Sequence, residues 1–263
     1  MTAPLTLRNA LWLLSTAVEI VLLVCLLRRK IRNTHRAFVI YIAGAIAQTA
    51  LAAWSYLKWG IGDPVVAKTI WASQGVLLFL RFSAVYEMAE RILSQYPGIL
   101  TFAKSILSFI GGATVIYALL AGNKWALFYL NLDRGFELGI ATFVVTLLLF
   151  ARYYRLSVHS LERALAMGFC LYSCFCVIND SLFERFLTSY LNLWGYLNIL
   201  TFLASLLIWL HAVRACSEIA VPRNEREVLS QGSYGTLAPE LNFRLRVLNE
   251  QISRLLHLKN SGS

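Results

Sequence analysis

Arg81 is the residue whose placement first needs a chemical reason. It interrupts LLFLRFSAVYEMAERIL, residues 77–93, a run that is otherwise apolar for most of its length. At about 1.5 Å of rise per residue, its ten-position distance from Arg91 puts it about 15 Å along a helix. Glu19, nine positions before Arg28, lies about 14 Å in by the same measure. Both fall near the midplane of a bilayer core about 30 Å thick. One charge at that depth costs about 2.5–3.5 kcal/mol, so such charges face the bundle and pair. The expected pair is Glu19 with Arg81, joining the first span to the third. It would serve as a structural clasp or as a proton-sensitive switch.

A second polar stratum lies farther from the basic ends of the helices. The same count places Glu137 at about 22 Å, Asn179, Asp180 and Asn198 at about 24–25 Å, Gln74 at about 25 Å and Arg134 at about 27 Å. Arg134 and Glu137 are spaced i,i+3 and share a helix flank. Trp71, Tyr172, Trp194 and Tyr196 border the layer. An aromatic belt at the interface is one explanation. The other is a ligand pocket open to the outside, an apolar cup with a few converging polar groups. Asp180 and Asn198 favour the pocket, since each interrupts an apolar run. Asp133 and Glu184 are read as nearer to water.

Other chemistries lack their residues. Residues 191–213 contain no Lys to form a Schiff base, and His35, His159, His211 and His257 all lie near or beyond the basic ends of the spans. No zinc-protease helix, nucleophile elbow or phosphate-binding loop occurs. Cys170 and Cys174 share a helix face but lack further His or Cys ligands nearby. The expectation is therefore no enzyme, no cofactor and no metal. Free Cys then acts as a small apolar residue.

The elements that would position these groups are transmembrane helices. The chain has 263 residues, 58% hydrophobic and 14% charged, well to the apolar side of a soluble domain. Windows near 5–27, 37–57, 66–90, 102–121, 129–151, 163–186 and 191–213 are each long enough to span. GIGDP at 60–64, YPG at 96–98 and AGNK at 121–124 punctuate them. RRK directly after the first window argues against a cleavable signal peptide. Basic residues alternate between the two sets of connectors, 13 on one side against five on the other. That bias predicts an all-α seven-helix bundle with the N-terminus outside and the C-terminus in the cytoplasm. It also accounts for the net charge of +10 without nucleic acid as a partner. The expected location is a plasma or inner membrane, multi-pass.

Two regions follow: a transmembrane domain at 1–213 and a cytoplasmic tail at 214–263, with an amphipathic helix near 239–258. In that helix Leu241, Leu245, Leu248, Ile252 and Leu255 follow a 4,3,4,3 spacing. Such a seam suits a homodimeric coil, a cytoplasmic protein partner or an anionic leaflet. Residues 70–91 and 193–214 share six identities in 22 positions, a faint sign of a 3+1+3 repeat. Small-residue spacings, Gly135-x-x-x-Gly139 and Ser108-x-x-x-Gly112, allow close helix approach. Glu90-Arg91-Ile92 resembles the acidic-Arg-Tyr signature at the inner end of helix three in rhodopsin-like receptors. Ile92 replaces the Tyr, and neither NPxxY nor CWxP occurs, so the run assigns no family. The expected function is a non-enzymatic, receptor-like or sensory membrane protein binding a small molecule. A small-solute transporter or channel, or a structural subunit of a membrane complex, are the alternatives.

Overall fold

The computed structural model describes residues 7–29, 34–60, 63–94, 96–121, 125–154, 156, 158–186, 191–215, 243, 246–252 and 254. Side chains at 7–8, 125–127, 180–186 and 191–194 lie outside the described set. Among the described residues there are seven long helices and no strand. They are α1 (Leu7–Arg28), α2 (Arg36–Trp59), α3 (Pro64–Ile92), α4 (Pro97–Ala121), α5 (Trp125–Tyr153), α6 (Ser160–Phe186) and α7 (Leu191–Ala215). All seven are long and apolar enough to cross a membrane. Exposed apolar side chains such as Leu57, Phe109 and Leu120 belong on a lipid-facing surface, where burial in protein is unnecessary.

Local chemistry sets the helix ends. The Asp63 carboxylate accepts from Val65 N–H at 2.8 Å, and Pro64 occupies the first turn, where a missing N–H costs nothing. Gly60 closes α2 with φ 83°, a conformation that favours glycine. The start of α2 lacks a cap of its own, since the His35 side chain makes no capping bond. Glu87 of α3 supplies one. Its carboxylate accepts from Arg36 and Ala37 N–H at 2.9 and 2.8 Å and from Phe38 N–H at 3.4 Å. The i,i+4 spacing of Glu87 and Arg91 suggests a local pair, but orphan amides at a helix N-terminus make a better anion site than one interfacial guanidinium.

Six helices form a sequential ring. α1 packs on α2 and α7, α2 on α3, α3 on α5 and α6, α5 on α6, and α6 on α7. α4 stands outside it, against α5 and more lightly α3. The Gly135–Gly139 spacing is used there: a Cβ at either glycine would collide with Thr114 or Ile110 of α4. Gly112, by contrast, faces open space. Gly168 on α6 likewise leaves room for the Trp209 ring of α7, whose Nε1 donates to Leu165 O at 3.3 Å. The Arg29 guanidinium donates to the carbonyls of Val213 and Arg214, tying the end of α1 to that of α7.

Part of the tail is docked. Residues 246–252 are helical, and Leu248 and Ile252 of the expected seam pack against the core of the bundle. Asn249 Oδ1 accepts from Gly98 N–H at 2.7 Å and Ile99 N–H at 3.3 Å, capping α4. Leu241, Leu245 and Leu255 lie outside the described residues.

Candidate functional site

The ring encloses a cavity of about 280 Å³ lined by α1, α2, α3, α5, α6 and α7. On α1 the wall is Trp12, Ser15, Thr16 and Glu19, an i, i+3, i+4, i+7 face that turns one stripe of an apolar helix inward. α2 contributes Gln48 and Thr49, and α3 contributes Gln74 and Arg81. α5 adds Asp133 and Glu137, again i,i+4. Tyr172 and Asn179 come from α6, and Asn198 and Phe202 from α7.

Both expected layers meet in this one cavity. Glu19, Gln74, Arg81, Glu137, Asn179 and Asn198 all line it. Arg134 is not among the lining residues; it is half-buried, one position on from Asp133. Asp180 is in α6, but its side chain lies outside the described residues. Asp133, which the depth count placed nearer to water, is on the wall instead. Its signal was the four-residue spacing to Glu137, one helix turn on the same face.

The expected Glu19–Arg81 pair is not formed. Arg81 is ion-paired with Glu137. Its guanidinium also lies 4.4 Å from the Tyr172 ring centroid and 5.6 Å from that of Tyr41. Two physical reasons account for the change. α3 packs on α5 and makes no backbone approach to α1. Also, helical side chains lean toward the helix N-terminus, so the long Arg81 side chain rises from its own layer into that of Glu137. Depth counted at Cα omits this reach.

Polar atoms around the cavity are left without protein partners. Ser15 Oγ, Glu19 Oε2, Glu137 Oε2, Asn179 Oδ1, Asn198 Oδ1 and Arg81 Nε are buried and make no hydrogen bond among the described residues. Glu19 is 3% exposed, Arg81 5% and Glu137 1%. Buried polar groups in folded proteins are nearly always satisfied by protein or by something bound. Six such atoms on one wall mark a space made for polar contents.

Beneath the cavity an aromatic cluster fills the ring. Phe38 and Tyr41 of α2, Phe169 of α6 and Trp209 of α7 are all buried. Their centroids are 5.0 Å apart for Phe169–Trp209, 5.2 Å for Phe38–Trp209 and 5.8 Å for Tyr41–Phe169. By chain position each lies nearer than the cavity residues to the end that carries the 28–36 loop. Four large buried side chains thus lie between the cavity and that end. Cys170 and Cys174 lie 3.9 Å apart, sulfur to sulfur, and no group of metal-ligating side chains occurs among the described residues.

No family model, curated protein or solved structure matches this chain.

Proposed function

We propose that this chain is a non-enzymatic, receptor-like membrane protein that holds a small ligand in its central cavity. With the N-terminus outside, the cavity opens outward and the aromatic cluster lies toward the cytoplasm. The observation that carries the reading is the set of buried, unpartnered polar atoms on a wall shared by six helices. A ligand touching several helices favours one relative arrangement of them, which is the physical content of a receptor. Tyr41 belongs to both parts: it faces Arg81 at the cavity floor and packs with Phe169 and Trp209 below. Phe38 in turn packs on Trp209, and its N–H is held by Glu87 near the opposite end of the bundle. A shift at the cavity floor thus has a contiguous packed route to the helix ends.

The aromatic cluster also separates this reading from transport, since a solute must pass where four large side chains now meet. Two measurements on the full chain test it. Native mass spectrometry of protein extracted under mild conditions is expected to show a bound small molecule. Proteoliposomes are expected to show no net flux of that molecule. Flux at rates above empty vesicles would replace the receptor with a transporter, and an empty cavity across repeated preparations would remove the ligand.

A further inference from the structure

The wall chemistry selects a class of ligand. Among the described residues, three carboxyls, Glu19, Asp133 and Glu137, stand against one guanidinium, Arg81, and Glu137 already pairs with it. The unpartnered oxygens of Glu19, Glu137, Ser15, Asn179 and Asn198 face one unpartnered N–H, that of Arg81 Nε. Carboxylate oxygens accept and do not donate. A ligand that donates several hydrogen bonds and brings positive charge would complete this wall. Trp12 and Phe202 add aromatic faces to the same space, and such faces attract cations.

A second hollow fixes the rest of the molecule. It measures about 290 Å³, lies between α3 and α5, and shares Gln74, Leu78 and Asp133 with the central cavity. The remainder of its lining is Trp71, Gly75, Tyr129, Leu130 and Leu132. Gly75 lets α3 approach the Tyr129 ring closely, since a Cβ there would stand 3.3 Å from it. Asp133 thus sits at the junction of a polar chamber and an apolar one. Each chamber is at the small end of ligand pockets, which run from about 300 Å³ upward.

We propose that the two chambers together bind a small protonated amine with one short apolar or aromatic group, its ammonium between Glu19 and Asp133 and its apolar end against Trp71 and Tyr129. The proposal rests on the ligand-binding reading above and narrows it. Glu137 stays with Arg81, which keeps the guanidinium from repelling the incoming cation.

The test uses the full chain in nanodiscs and three probes of matched shape: phenethylamine, 2-phenylethanol and 3-phenylpropanoate. The amine is expected to bind and raise the melting temperature with concentration, the alcohol and the acid to do neither. Methylamine is expected to bind more weakly than phenethylamine. Glu19→Gln and Asp133→Asn, which keep shape and remove charge, are each expected to weaken phenethylamine at least about tenfold. Either variant suffices if the other fails to fold. Equal binding of the alcohol, or amine binding indifferent to both substitutions, overturns the ammonium assignment. Binding of the acid, lost in Arg81→Gln, also overturns it while leaving a ligand site in place. If none of the probes binds and Glu19→Gln raises the melting temperature, the cavity is a hydrated structural network, and both readings fall.

Discussion

Arg81 of α3 and Glu137 of α5 form a buried ion pair, with the guanidinium lying over the Tyr172 ring of α6. Removing either partner strands a charge where water is scarce, whereas removing both does not. Arg81→Ala or Glu137→Ala is expected to cost about 3–5 kcal/mol, and the double substitution less than either single change. The parallel cycle for Arg81 with Glu19 is expected to show the smaller coupling, since the two share a cavity without pairing. Denaturation in mixed micelles measures both. Additive effects for Arg81 and Glu137 would refute the pair.

Glu87 stands in for the missing cap of α2, accepting three backbone N–H groups across the α2–α3 contact. Replacing it with Ala leaves those amides unsatisfied, at an expected cost of about 1–3 kcal/mol. Glu87→Gln keeps an acceptor and is expected to recover part of that. Hydrogen exchange is the local readout: amides 36–38 should exchange faster in Glu87→Ala while α5 is unchanged. Unaltered exchange there would mean water caps α2 equally well.

The seven spans were legible because each is a run of 20 or more mostly apolar residues bounded by charge, Gly or Pro. Counting helical rise from the basic ends also found most of the cavity: Gln74, Glu137, Asn179, Asn198, Glu19 and Arg81. Pairing was not legible. Depth orders residues along the membrane normal, but says nothing about which helices are neighbours, and α1 turned out to adjoin α2 and α7 rather than α3. Arg134 is not among the residues that line the cavity. Residues spaced i,i+3 share a broad face, but the α5 residues on the wall are the i,i+4 pair Asp133 and Glu137. Asp133 and the stripe from Trp12 to Glu19 are legible in i,i+4 spacing, which reports azimuth around a helix where depth does not. The aromatic cluster left no local signal, since Phe38, Tyr41, Phe169 and Trp209 come from three helices and meet through tertiary packing.

Asn249 docks the described part of the tail on the start of α4. Its Oδ1 takes the N–H groups of Gly98 and Ile99, flanked by Leu248 and Ile252 on the core. Asn249→Ala is expected to cost about 1 kcal/mol of local stability, as other cap losses do. Limited proteolysis should then cut near residues 246–252 faster than in the unaltered chain. Leu248→Asp should have the larger effect, because it also buries a charge. Unchanged cleavage in both variants would show that the helix is not held at this site.

His35, at the start of α2 and outside the spans, is buried, and its imidazole is pushed down from the usual 6.5 to about 4. Burial is the main cause, and the positive charge of Arg91 and then His159 adds to it. The folded protein therefore prefers the neutral ring. Unfolding releases His35 to its ordinary pKa, so the unfolded chain binds the extra proton first as pH falls. The stabilising contribution is complete above about pH 6.5, declines below it, and is lost once the folded state also protonates near pH 4. The shift corresponds to about 3 kcal/mol at the acid limit. Unfolding measured between pH 7.5 and 4 should show stability falling with acid in the unaltered chain. His35→Gln should be flatter over the same range, whatever its stability at pH 7.5. Arg91→Gln should raise the folded-state pKa of His35 and so shrink the fall, with its onset unchanged near pH 6.5, because one repelling charge is gone. Parallel curves for the unaltered chain and His35→Gln would show that His35 is not the group that titrates.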